Sequence, residues 1–133
     1  MAQLGIGSLN MDYALRDELA LWFTKFGGLL SSGVFVTTAL AQLERETSNP
    51  RLRQATHGIS DGVSRGRNLA DTFREYPDLF DEHLIAFVSG AERCGIVPAV
   101  LPSVAHYILD PGANGGKGYQ SDGPNRSPSE GSR

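Results

Sequence analysis

The sequence predicts an all-α fold, a compact bundle of about six short antiparallel helices. Apolar residues between Asp12 and Leu109 recur at three- and four-residue spacing, and no stretch alternates as a half-buried strand would. Glycine or asparagine with proline breaks that pattern repeatedly. Each segment so bounded carries its apolar residues on one side, and such a stripe must find another to bury against.

The first helix is the clearest. Leu15, Leu19, Trp22, Phe23, Phe26, Leu29 and Leu30 follow one another at spacings of four, three, one, three, three and one, which paints a single stripe. Gly33 lies just past the last leucines, where a left-handed residue ends a helix. A second helix turns Val36, Ala39, Leu40 and Leu43 inward, with Gln42, Glu44, Arg45 and Glu46 outward. No charged residue occurs from Phe26 to Leu43, a length approaching a membrane span, but Ser31, Ser32 and Gly33 divide it into two helices flanking a turn.

Asn49 can cap a third helix and Pro50 suits its first position. Leu52, Ala55, Ile59 and Val63 form its narrow apolar edge, and Gly58 and Gly62, one turn apart, predict the close approach of a neighbouring helix. Gly66 closes it. Asn68 can cap a short fourth helix that points Leu69 and Phe73 inward before Pro77. A fifth helix runs from about Asp81 to Cys94 with Leu84, Phe87, Val88 and Ala91 on one face, acidic residues at its amino end, and Gly95 as its stop. The sixth carries Val97, Val100, Leu101, Val104, Ala105 and Ile108; Pro102 must kink it or lie in its first turn.

The expected organisation is a flexible segment over residues 1–11, a helical domain over 12–110 and a polar tail over 111–133. That tail is Gly, Ser, Pro and Asn with scarcely a large apolar side chain, so burial cannot offset its ordering entropy. At 133 residues the chain has the length of one domain. A net charge of −3 argues against nucleic acid as a general partner, since a phosphate-neutralising protein carries a basic excess. One cysteine, Cys94, excludes an intrachain disulfide and a cysteine-rich zinc site, which fits a reducing compartment. The amino terminus has neither the early basic residue nor the apolar run of a secretory signal.

Candidate chemistry is sparse. Glu92, in "SGAERCGI", has a structural reading, as acceptor for the exposed N–H groups of the next helix with Gly95 supplying the turn, and a functional one, as a subunit or cation contact. His57, His83 and His106 lie on different helices without a second ligand at metal spacing, so no metal and no cofactor are expected. Cys94 reads as a small residue in a packed turn. There is no phosphate-binding G-x-x-x-x-G-K-[ST] loop. Arg51, Arg53, Arg65, Arg67 and Arg74 concentrate positive charge on the third and fourth helices, either as a solvated face or as a docking patch for an acidic surface or anionic lipid.

Read in order, "LALWFTKFGGLLSSGV", "TALAQLERETSNPRLRQA", "GISDGVSRGRNLADTFREYPDLF" and "GAERCGIVPAVLPSVAHYIL" resemble the type II secretion system F domain over roughly Leu15 to Leu109. Leu29, Leu30, Ser32 and Gly33 match its paired leucines and small residue before glycine. Asn49, Pro50, Gly66 and "NLADTF" match its asparagine break and short helix. Ala91, Glu92, Arg93, Cys94 and Gly95 approximate its Gly-Glu-x-Ser-Gly signature, with Cys94 where serine is usual and Ala91 where glycine is. Pro102 and the doubled Gly27 and Gly28 depart from the pattern.

The resemblance implies a six-helix cytoplasmic domain of the inner-membrane platform protein of type II secretion or type IV pilus assembly. It implies a non-enzymatic scaffold that couples a secretion ATPase to the growing pseudopilus or pilus. Family members usually continue into a transmembrane helix, so the chain is expected to be a solo cytosolic relative or a truncated platform protein, associated at most peripherally with the inner membrane and with self-association open. Expected partner contacts are Arg51, Arg53, Arg65, Arg67 and Glu92; expected turn residues are Gly33, Asn49, Gly66 and Gly95. The alternatives are a small metal-dependent hydrolase centred on Glu92 and His83, a helical interaction module with unrelated partners, and a nucleic-acid module using the arginines.

Overall fold

The computed structural model describes residues 13–110, which form six helices and, among the described residues, no strand. They are α1 (Tyr13–Ser31), α2 (Val36–Glu46), α3 (Pro50–Ser64), α4 (Leu69–Phe73), α5 (Glu82–Cys94) and α6 (Val97–Leu109). The expected flexible opening, residues 1–11, and polar tail, 111–133, lie outside the described residues. The uncharged stretch from Phe26 to Leu43 is two helices joined by a turn, and none of the described helices is long and apolar enough to cross a membrane.

Three amino ends carry the side-chain caps their sequences call for. Asn49 Oδ1 accepts from the Leu52 amide at 3.0 Å, Asn68 Oδ1 from that of Asp71 at 3.2 Å, and Asp81 Oδ1 from that of Leu84 at 2.8 Å. Pro50 opens α3, where its missing N–H is no loss. Asp81 does double duty, since its Oδ2 accepts from the Tyr107 hydroxyl at 2.9 Å and so ties the start of α5 to α6.

The core forms around α1, whose Leu19, Ala20, Trp22, Phe23, Phe26 and Gly27 are buried. Trp22 and Phe23 meet Phe73 and Phe80 in an aromatic cluster in which Phe73 and Phe80 stack with centroids 4.3 Å apart. The buried indole N–H of Trp22 donates to Thr56 Oγ1 at 2.9 Å, and the Thr56 hydroxyl donates to the Leu52 carbonyl at 2.7 Å, so no polar atom in that chain is stranded.

α1 and α6 pack closely and run antiparallel: Gly27 lies against Leu101 and Pro102, while Leu30, later in α1, shares a hollow with Val97 and Pro98, earlier in α6. This explains both sequence irregularities. Pro102 lies inside α6, past the first turn, and its ring packs where Gly27 has no Cβ to meet it. A Cβ on Gly27 would stand 3.1 Å from Leu101 Cβ and 3.3 Å from Pro102 Cδ.

Three expectations need correction. On α5 the core takes Ile85, 7% exposed, rather than Phe87, 47% exposed. Buried Leu79 and Phe80, in the turn before α5, put the apolar mass on the Ile85 side of the stripe. Cys94, seven residues beyond Phe87 and so on the same outward edge, is exposed rather than packed in a turn. On α3 the neighbour that Gly62 admits is a helix, through Thr72 of α4, but Gly58 admits the Tyr76 hydroxyl from the turn that follows α4.

Candidate docking surface

Helices α1, α3 and α5 end in the same way. Gly33, Gly66 and Gly95 have φ of +95°, +96° and +73°, a region open to glycine but strained for other residues. The amide after each glycine reaches back to close a wide ring: Val34 to the Leu29 carbonyl at 3.0 Å, Arg67 to that of Gly62 at 3.0 Å, Ile96 to that of Ala91 at 2.9 Å. The glycine amides themselves bond the Leu30, Val63 and Glu92 carbonyls. These are three Schellman motifs.

The three turns gather at one end of the bundle around an open hollow of about 380 Å³. Leu30, Val34, Val36, Val63, Leu69 and Val97 supply its apolar walls. Phe35, 81% exposed, stands on its rim between α1 and α2. Ile96, in the α5–α6 turn, is a further exposed apolar side chain at this end.

Glu92 holds this end together. Its Oε2 accepts from the Leu69 amide at 2.6 Å and its Oε1 from the Ala70 amide at 3.0 Å. The carboxylate therefore serves the orphan N–H groups and positive dipole end of α4. The expectation of an acceptor for helix N–H groups holds, but the helix served is α4, not α6 as expected. Glu18 plays the same part at the amino end of α3, where its Oε2 accepts from the amides of Ser48 at 2.8 Å and Asn49 at 3.1 Å. Nothing in the sequence singled out Glu18, because its partners lie 30 residues away.

The arginines do not assemble into one patch. Arg51 and Arg53 flank the start of α3 and Arg65 and Arg67 its end, about 20 Å apart along the helix. Arg51 grips Asp78 with two N–H···O contacts of 2.8 and 2.7 Å and lies over the Tyr76 ring. That hydrogen bond holds the Asp78 carboxyl below its ordinary pKa and raises that of Arg51. Arg53 donates to the Thr47 and Ser48 carbonyls, Arg65 pairs with Asp61, Arg67 with Glu75, and Arg74 with Asp71. Their charges are thus largely met within the chain, although the Arg65 side chain remains 74% exposed.

Glu92 and His83 are nine residues apart on α5, which puts them on opposite sides of the helix and about 14 Å apart along its axis. His57 sits beside Glu44, Nδ1 to Oε2 3.2 Å. Among the described residues no three His, Cys, Asp or Glu side chains gather where they could hold a metal ion.

A family model for the type II secretion system (T2SS), protein F, matches residues 22–111, and so takes in the three glycine turns, the hollow and both halves of the Glu92 contact. The chain belongs to the type II secretion system protein F family. Over 90 residues, 68% of this F-family chain, it is 29% identical to a type II secretion system protein F of Vibrio cholerae. Over the same share of its length it is 26% identical to a type IV pilus assembly protein PilC of Myxococcus xanthus and 28% identical to one of Pseudomonas aeruginosa. The aligned stretch spans 22%, 22% and 24% of those relatives.

Proposed function

We propose that this F-family chain is a non-enzymatic scaffold of a type II secretion or type IV pilus assembly platform. It works at the cytoplasmic face of the inner membrane by binding other proteins, the secretion or pilus ATPase among them. The family match over residues 22–111 is the observation that carries this reading. The exposed charge agrees with it: the Arg65 side chain stays 74% exposed at the α3–α4 turn, beside the Leu69 and Ala70 amides that Glu92 holds.

Polar contacts to the ATPase are assigned to Arg51, Arg53, Arg65 and Arg67, with Glu92 setting the position of the α3–α4 turn that carries the last two. Arg65 is the foremost of them, because a guanidinium offers five N–H donors and this one lies mostly in solvent. The test is co-purification of the full chain with the secretion or pilus ATPase encoded in the same genome. A complex that weakens on Arg65→Glu supports the proposal. A correctly folded chain that captures none of these ATPases overturns it.

A further inference from the structure

Where α1 passes the turn between α2 and α3, the surface opens into a groove of about 240 Å³. Trp22 and Leu43, 2% and 1% exposed, lie at its floor, and Leu21, 51% exposed, stands on its rim. The polar groups at that floor are already met: the Thr47 hydroxyl donates to the Leu43 carbonyl at 2.6 Å and the Trp22 N–H to Thr56 at 2.9 Å. An occupant therefore has only apolar surface to cover there. An apolar cavity of about 150 Å³ is enough to take up benzene, so the groove admits one aliphatic or aromatic side chain.

The edges of this apolar groove are acidic. Asp17, Glu18 and Glu46 line it against one cation, Lys25, whose Nζ is already 3.1 Å from Glu46 Oε1. Glu18 uses only Oε2 on the Ser48 and Asn49 amides, which leaves Oε1 as an acceptor, and Asp17 faces solvent. Arg53 approaches from α3 to donate to the Thr47 and Ser48 carbonyls but does not line the groove. Asp17 and Glu18 come four and three residues before Leu21 on α1, so the free carboxylates lie one helical turn from the apolar rim, about 5–6 Å away.

We propose that the groove docks a basic amphipathic helix of another protein, which seats an apolar side chain against Leu21 and Leu43 and presents arginine or lysine to Asp17 and Glu18. Residues three and four apart on a helix share one face at that same one-turn spacing, so a helix laid along α1 meets both features at once. Charge selects the occupant. Like-charge repulsion turns away an acidic segment, a nucleic acid or an anionic lipid headgroup. None of the arginines assigned to the ATPase lines the groove, so this contact and that assignment can fail separately.

Fluorescence anisotropy with the full chain tests this. The probe is a labelled alanine-rich helical peptide carrying one leucine with arginine one turn before and after it, compared with the same peptide bearing glutamate in place of arginine. The arginine peptide should bind at least about tenfold more tightly, the lower end for close charge pairs across an interface, and added salt should narrow the difference. Asp17→Lys should weaken its binding about tenfold, and Leu21→Ser should weaken it too, whereas Phe35→Ser at the glycine-turn end should not. Asp17 and Leu21 lie outside the core, so both variants should keep the wild-type circular dichroism and melting temperature. Equal affinity for the two peptides overturns the proposal. So does an arginine peptide that fails to bind at millimolar concentration, or whose binding Asp17→Lys and Leu21→Ser leave intact. Self-association that Leu21→Ser removes in sedimentation velocity overturns it as well, since a second copy would then be the occupant.

Discussion

Glu92 on α5 closes the amino end of α4, its Oε2 2.6 Å from the amide of Leu69, a residue 23 positions earlier in the chain. A five-residue helix has too few internal hydrogen bonds to persist alone, so its place depends on what holds its ends. Asn68 caps it from within and Glu92 from outside. Because α4 delivers Phe73 to the aromatic cluster, the family-signature glutamate is coupled to the core through that short element.

Glu92→Ala is therefore expected to lower stability by about 1–3 kcal/mol, the range for leaving partly buried donors without their charged acceptor. Glu92→Gln keeps an acceptor oxygen and should lose less. Urea unfolding gives the magnitudes. Amide exchange locates the effect, and faster exchange at Leu69 and Ala70, with Glu18 and the α3 amino end unaffected, is the expected pattern.

Gly27 and Gly28 look equivalent in sequence and are opposite in the fold. A Cβ at Gly28 meets nothing within 4 Å, while one at Gly27 would press on Leu101 and Pro102. Gly28→Ala should stabilise the chain by about 0.5–1 kcal/mol through helix propensity alone. Gly27→Ala should show none of that gain, because α6 must move to admit the methyl group. Equal gains from both substitutions in urea titrations would contradict the packing of α1 on α6.

What the sequence reveals and what it hides follow one physical division. Periodicity, caps and stops are local, and they place all six helices: Asn49 and Asn68 cap within three residues, and Gly33, Gly66 and Gly95 end the helices they follow. Contacts at long range have no local signature. Glu18 at the start of α3, Leu79 and Phe80 buried in a turn, and the meeting of Gly27 with Pro102 all depend on which stripe packs on which. Ile85 and Phe87 flank the same stripe on α5, and only the position of Phe80 decides between them. The hollow was invisible for the same reason, since its walls come from segments more than 60 residues apart.

Gly62 gives a second packing test that does not rely on the α1–α6 contact. Its Cβ position is 2.6 Å from Thr72 Cγ2, and Thr72 is fully buried with its hydroxyl donating to the Leu69 carbonyl at 2.7 Å. The β-branched side chain cannot rotate away without losing that bond. Gly62→Ala should then destabilise by about 1–3 kcal/mol as an overpacking change. Thr72→Ser removes the clashing methyl and keeps the hydroxyl, so in that background Gly62→Ala should be neutral or stabilising. A double-mutant cycle reads the difference as a coupling energy, and a coupling near zero would place Thr72 elsewhere.

The Arg51–Asp78 pair predicts a small, signed pH effect. Hydrogen bonding to Arg51 lowers the Asp78 pKa in the folded chain, so folding favours the ionised carboxyl. Its contribution is complete above the unfolded value of about 3.9 and is lost as pH falls through the folded value. With side chains 40% and 51% exposed, solvent screening limits the pair to about 0.5 kcal/mol. The stability difference between the wild type and Asp78→Asn should thus be level from pH 5 to 7 and shrink toward zero below about pH 4. Raising the salt at pH 7 should shrink it too, because exposed pairs are screened. Urea midpoints across that range provide the measurement. A difference that persists unchanged to pH 2.5 would show that Asp78 acts through packing rather than through its charge.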